Sequence, residues 1–130
     1  MMKAILFVCV ENSNRSQMAE AFARLHGSNH LEAFSAGSNP SGQVNPKAIA
    51  AMQEKGYDLT IHHSKSFSDL PDAQFDFVIT MGCGDRCSHI PAQFREDWDL
   101  PDPKTLPPEE FNRVRDEIEH RVLDLLTRLN

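Results

Sequence analysis

Five apolar residues, Ala4-Ile5-Leu6-Phe7-Val8, run directly into Cys9-Val10-Glu11-Asn12-Ser13-Asn14-Arg15-Ser16, and these run into Gln17-Met18-Ala19-Glu20-Ala21-Phe22-Ala23-Arg24-Leu25. A short, unbroken apolar run reads as a strand buried on both faces, and the alanine-rich stretch reads as a helix. A strand, a short loop and a helix N-terminus in that order make an anion site. Loop N–H groups can converge on one point, and the helix dipole adds positive potential there. A cysteine starts the loop and an arginine ends it, with five residues between. The planar fork of Arg15 can hold two oxygens of a tetrahedral oxyanion. The same positive field favours a thiolate at Cys9. The segment thus offers a nucleophile, Cys9, beside a cradle formed by Val10, Glu11, Asn12, Ser13, Asn14 and Arg15. Ser16 is placed at the helix N-cap, with Glu20 in the first turn.

The rest of the chain alternates strands with helices. Leu31 to Ala36 reads as a second strand, after a helix end at which Gly27 serves as a left-handed cap. Asn45 caps a helix with Pro46 in its first turn, which stops at Gly56. Tyr57 to Lys65 reads as an irregular connection anchored by Leu59 and Ile61. A short helical turn follows at Ser66 to Leu70. Phe75 to Thr80, rich in aromatic and β-branched residues, is the clearest later strand, and Phe94 to Asp99 the last. From Pro107-Pro108 onward, Phe111, Val114, Ile118, Val122, Leu125, Leu126 and Leu129 recur at helical spacing. This pattern predicts an α/β fold over residues 1–130: one domain, three layers, and a four-stranded parallel sheet with helices on both faces. In such sheets ligands sit beyond the carboxyl ends of the strands. The loops bearing Cys9, Cys83 and Asp102 all leave a strand at that end.

A net charge of −6 argues against nucleic acid and anionic membranes as partners. No apolar run approaches the roughly 20 residues of a membrane span, and the N-terminal run is too short for a secretory signal. The cytoplasm is the expected compartment. Three cysteines, Cys9, Cys83 and Cys87, do not describe a disulfide scaffold, and without clustered histidines they make a poor zinc site. No metal and no cofactor are expected, and the chain is read as a monomer. His62, His63 and His89 are read as solvated or structural, and Trp98 as core.

Two features take their meaning from the anion loop. Asp102 stands between Pro101 and Pro103. Alone it is a solvated turn residue; over an anion site it is a proton donor to a leaving oxygen. Cys83 and Cys87 enclose three residues, among them Gly84. They are either unrelated thiols or a redox pair that a glycine-loosened loop can close.

Taken together, Cys9 to Ser16 with Gln17-Met18-Ala19-Glu20, Ser35-Ala36-Gly37, Ile79-Thr80-Met81-Gly82-Cys83 with Cys87, and Glu96-Asp97-Trp98-Asp99-Leu100-Pro101-Asp102-Pro103 resemble the thiol-dependent arsenate reductases that share the low-molecular-weight protein tyrosine phosphatase fold. The resemblance extends from Lys3 to about Leu126. It implies that arsenate is held by the loop and Arg15, that Cys9 attacks arsenic, that Ser16 hydrogen-bonds the sulfur, and that Asp102 protonates the departing oxygen. It further implies a relay in which Cys83 attacks Cys9, Cys87 attacks Cys83, and thioredoxin reduces the resulting disulfide. Two departures stand out. Glu11 occupies a position that is often glycine in the family, where a carboxylate beside an anion pocket weakens binding unless it points away. Some members bind potassium through residues matching Asn12, Glu20 and Ser35, but Lys65 stands where an aspartate is expected, so its ammonium is predicted to replace the ion.

Two other functions compete. A protein tyrosine phosphatase would use Cys9, Arg15 and Asp102 through a phosphocysteine, yet Lys104-Thr105-Leu106 follows the Asp-Pro pair where an aromatic wall is expected. A non-catalytic anion or redox sensor would bind arsenate without releasing arsenite.

Overall fold

Strand β1 (Lys3–Cys9) lies inside a parallel sheet, flanked by β2 (Leu31–Gly37) and β3 (Phe75–Thr80), with β4 (Ala92–Asp97) beyond β3. The computed structural model describes residues 3–27, 31–71, 74–82 and 92–129. The order β2-β1-β3-β4 means that the chain leaves β1 toward one side and returns on the other. A crevice therefore opens at the carboxyl ends of β1 and β3, the usual ligand position in such sheets.

The unbroken apolar run of β1 follows from its central place. Ile5, Phe7 and Cys9 face one side, joined by Ile79 and Trp98, and meet α1 (Arg15–His26), α2 (Pro46–Gln53) and α3 (Pro108–Leu129). Leu6 and Val8 face the other side, with Ala36, Phe75 and Val78, and are covered by Phe67 and Leu70. Phe67–Asp69 is a single 3-10 turn, so the helical layer on this second face is thin among the described residues. Helix α1 is buried along Arg15 to Ala23, and its alanines allow close approach to the sheet. Helix α3 turns Phe111, Val114, Ile118, Val122 and Leu125 inward, as their spacing predicts. Among the described residues no helix is long and apolar enough to cross a membrane.

Several local expectations are corrected. Helix α1 begins at Arg15 with Asn14 at the N-cap position, so Ser16 is the second helical residue and not the cap. Glu20 then lies beyond the first turn, where it is buried and accepts a 2.6 Å hydrogen bond from Ser35 Oγ. Gly27 is extended, not left-handed (φ −77°, ψ 158°). Strand β4 spans Ala92–Asp97, which leaves Trp98 as the first residue past it. Leu59 is fully buried, but Ile61 is exposed and anchors nothing.

Gly37 is required by close approach. A β-carbon there would lie 2.5 Å from Val10 O and 2.9 Å from Asn12 N, both backbone atoms that cannot swing aside. Gly37→Ala should therefore cost about 1–3 kcal/mol of stability, the usual range for overpacking, measured by urea unfolding.

The connection 57–65 buttresses the segment after Cys9. His62, with a side chain 4% exposed, bonds Gln17 Oε1 through Nδ1 (2.9 Å) and Tyr57 OH through Nε2 (2.6 Å). Burial holds its pKa below the usual 6.5, against the pull of nearby Glu20. The unfolded chain therefore takes up a proton here before the folded one does. His62 contributes stability that is complete above the unfolded value and is lost as pH falls below about 6.5. Urea unfolding at pH 7.5 and 5.5 should show the stability gap between wild type and His62→Gln narrowing at the lower pH. A gap that widens would contradict a buried neutral imidazole.

Candidate active site

Cys9 is the last residue of β1 and is 3% exposed. Its Sγ lies 2.9 Å from Ser16 Oγ. The donor in this pair follows from the neighbours. The backbone N–H of Lys65 can only donate, and it meets Asn12 Oδ1 at 3.0 Å. That orients the Asn12 amide and leaves Nδ2 to donate to Ser16 Oγ at 2.8 Å. Ser16 Oγ thus accepts from Asn12, and its own single proton is free to point at Cys9 Sγ. The sulfur thus has a hydroxyl donor aimed at it. Ser16 spends its side chain on the sulfur instead of on capping the helix.

Asn12 is the hinge of this arrangement. It is fully buried and has φ +50°, the left-handed region that asparagine tolerates better than most residues. Gln17 Nε2 reaches Asn12 O at 3.0 Å, Asn12 Oδ1 at 2.8 Å and His63 O at 3.0 Å, so one amide pins the turn to the connection below it.

The carbonyls of the loop are all engaged from outside. Cys9 O accepts from Ser38 N (3.3 Å), Val10 O from Asn39 N (2.8 Å) and Glu11 O from Ser41 N (3.0 Å). Asn12 O is bound by Gln17, Ser13 O by Asn45 N (3.2 Å) and Asn14 O by Met18 N (2.9 Å). The N–H groups of residues 10 to 14, by contrast, have no protein acceptor among the described residues. A loop held by its carbonyls with its N–H groups uncommitted is an oxyanion cradle. Segment 37–41, which does most of this holding, carries no sequence signal of the role, because it acts through backbone atoms alone.

The cradle opens on a cavity of about 460 Å³. Cys9, Val10, Glu11, Ser13, Asn14 and Arg15 line it from the loop, and Asn39, Gly82, Leu100 and Asp102 close it. The Asn12 side chain stands behind the loop, so its part is support. Arg15 is 8% exposed and donates from Nη1 to Leu100 O at 3.0 Å; among the described residues no carboxylate neutralises it. Its remaining N–H groups are left for a ligand. Gly82 has φ +71°, and a β-carbon there would come within 3.0 Å of Arg15 Nη1. Glycine is thus needed for both backbone and space.

Asp102 reaches the cavity on a loop that is firmly hung. Trp98 is buried against Phe7, with ring centroids 5.9 Å apart, and its N–H donates to Thr80 O at 2.8 Å. Leu100 is held by Arg15. The Asp102 carboxylate is exposed and accepts from Lys104 N at 3.0 Å. Sequence reasoning brought Cys9, Arg15, Ser16 and Asp102 together, and so does the structure; it missed Asn39, Gly82 and Leu100 as walls. Cys83 and Cys87 lie outside the described residues.

Behind the loop, Lys65 brings Nζ to 3.4 Å from Ser35 Oγ and 3.8 Å from Glu20 Oε1, where its ammonium was expected. Burial lowers the pKa of Lys65 from its ordinary value, against the attraction of Glu20.

Comparison with known proteins agrees with this geometry. The family model for low molecular weight phosphotyrosine protein phosphatase matches residues 4–130. The glutaredoxin arsenate reductase of Synechocystis is 36% identical, over 99% of this chain and 100% of that one. A solved arsenate reductase in the phosphate binding state superposes with a TM-score of 0.87 at 36% identity, over 99% of this chain and 100% of that one. The thioredoxin-dependent arsenate reductase of Corynebacterium glutamicum superposes with a TM-score of 0.79 at 32% identity, over 98% of this chain and 61% of that one. Matched by that family model along nearly its whole length, and sharing its fold with these reductases, the chain belongs to the low molecular weight phosphotyrosine protein phosphatase family.

Proposed function

We propose that this protein is an arsenate reductase acting through Cys9. One observation carries the reading: the buried Cys9 sulfur, facing the Ser16 hydroxyl, opens on a cavity lined by Arg15 and Asp102. The kinship with arsenate reductases over nearly the whole chain selects arsenic over phosphorus as the target.

In the proposed reaction arsenate enters the cradle, where the N–H groups of residues 10 to 14 and Arg15 bind its oxygens. Their donors already point inward, so little reorganisation is needed when charge shifts. The Cys9 thiolate attacks arsenic, and an oxygen leaves as water after taking a proton from Asp102. Cys83 then attacks the Cys9 sulfur. A disulfide forms, the sulfur–arsenic bonding pair passes to arsenic, and arsenite departs two electrons reduced. Cys87 attacks Cys83 and frees Cys9. The Cys83–Cys87 disulfide takes two electrons from a dithiol reductant, thioredoxin in the cytoplasm, with the enzyme a monomer. The relatives include both a glutaredoxin-linked and a thioredoxin-dependent enzyme, so the two donors form the arms of the test.

A phosphatase reading rests on the same Cys9, Arg15 and Asp102 and on the family itself. It leaves Cys83 and Cys87 without a task, and the segment after Pro103 supplies lysine and threonine where an aryl ester needs an aromatic wall.

Arsenite release should be followed with thioredoxin and its reductase, and separately with glutaredoxin and glutathione. Multiple turnovers are expected with thioredoxin, none with Cys9→Ser, and a single event followed by arrest with Cys87→Ser. Turnover by Cys9→Ser would remove the nucleophile from the scheme. In single-turnover measurements Asp102→Asn should slow the chemical step by about 10²–10⁴-fold, the range for loss of a general acid. An unchanged rate would return Asp102 to an ordinary turn residue.

A further inference from the structure

Glu11 is the anomaly of the cavity. It adds a carboxylate to a wall that must attract a dianion, and Asp102 supplies another opposite it. Its backbone is fixed, because Glu11 O accepts from both Ser41 N (3.0 Å) and Ser64 Oγ (2.9 Å). The side chain therefore starts from a set point at the cavity rim. There Lys104 Nζ meets both carboxylate oxygens, at 3.2 and 3.3 Å. The same Lys104 donates its backbone N–H to Asp102 Oδ1. Lys104 is itself steadied, since its carbonyl accepts from Lys47 Nζ at 3.1 Å, on the first turn of α2.

We propose that Lys104 is a positioning residue for oxyanion binding: its ammonium neutralises Glu11 and ties the cradle to the loop that carries Asp102. This deepens the arsenate reductase reading and rests on it for the identity of the substrate. As a surface contact the pair stabilises the fold little, because Lys104 and Glu11 side chains are 55% and 33% exposed. Its effect is on the charge that an incoming anion meets. With the pair intact, Arg15 is the uncancelled charge of the cradle and Glu11 contributes a dipole. Without Lys104, a full negative charge stands on the wall and opposes the dianion. Removing Glu11 as well removes that opposition. The two substitutions should thus be opposite in sign for anion affinity, whereas a purely mechanical tether would be broken equally by either.

The test is the affinity for inorganic phosphate of wild type, Lys104→Met, Glu11→Gln and the double variant, by isothermal titration calorimetry at low ionic strength. Lys104→Met should bind about five- to tenfold more weakly, the order expected for one uncompensated charge at the edge of a site. Glu11→Gln should bind at least as well as wild type, and the double variant should return to within about twofold of it. Lys104→Arg should retain the affinity. Unfolding midpoints of all variants should coincide, which separates the effect from loss of fold. The inference is overturned if Lys104→Met binds phosphate like wild type, or if the double variant stays as weak as Lys104→Met. Arsenite release by the unmodified protein decides the reductase reading separately: a chain that binds phosphate with this pattern but reduces no arsenate keeps the charge clasp and loses the redox assignment.

Discussion

The capture of six consecutive carbonyls, from Cys9 to Asn14, by donors outside the loop is the constraint on which the site depends. A peptide unit that turns its oxygen outward turns its N–H the other way. Once the carbonyls are taken, the N–H groups have nowhere to go except toward the space between β1 and α1. The positive end of α1 then adds to them instead of acting alone. Segment 37–41 takes three of the six carbonyls, and it can do so because Gly37 lets β2 press against the loop with no side chain between them. The sheet register, which pairs Cys9 with Gly37, is therefore a condition of the anion site as well as of the core.

The sulfur depends on the same frame by a second route. Lys65 N orients Asn12, Asn12 orients Ser16, and Ser16 is left with one proton to direct at Cys9. Each member is buried or backbone-held, so no step can rotate to an alternative partner in water. Behind them, Gln17 and His62 close the chain onto Tyr57. Glu20 is surrounded in turn by Ser35, Arg24 and Lys65, which compensates a carboxylate that would otherwise be costly to bury.

What could be read from the amino acids and what could not divide along physical lines. Strand β3 is found residue for residue at Phe75–Thr80, because a run of aromatic and β-branched side chains is itself the cause of the strand. The α2 start is equally legible: Asn45 accepts from Lys47 N at 2.9 Å, and Pro46 stands where its missing N–H costs nothing. Ser16 misled because serine has two competing uses at a helix start, and only the nearby sulfur decides between them. Ile61 misled because a short connection can bury one of two aliphatic residues, and Leu59 took the place. Asn39, Gly82 and Leu100 were invisible because each acts through backbone or through the absence of a side chain. The contact of Glu11 with Lys104 joins residues 93 apart in sequence, a distance over which no local pattern speaks.

The second wall of the cavity shows how a site can be assembled from two segments that share no strand pairing. Residues 98 to 104 form no regular element, yet they are hung at two points, Trp98 and Leu100. Trp98 is sunk against Phe7, one residue pair behind the Cys9 sulfur on the same face of β1. Arg15, at the far end of the cradle, takes the carbonyl of Leu100. Any displacement of β1 would move the sulfur, the Trp98 anchor and, through α1, the guanidinium together. The exposed Asp102 can therefore keep its distance from the Cys9 sulfur without being buried itself. Burial falls on the groups that fix geometry, Cys9, Arg15 and Trp98, and exposure on the Asp102 carboxylate that they hold in place.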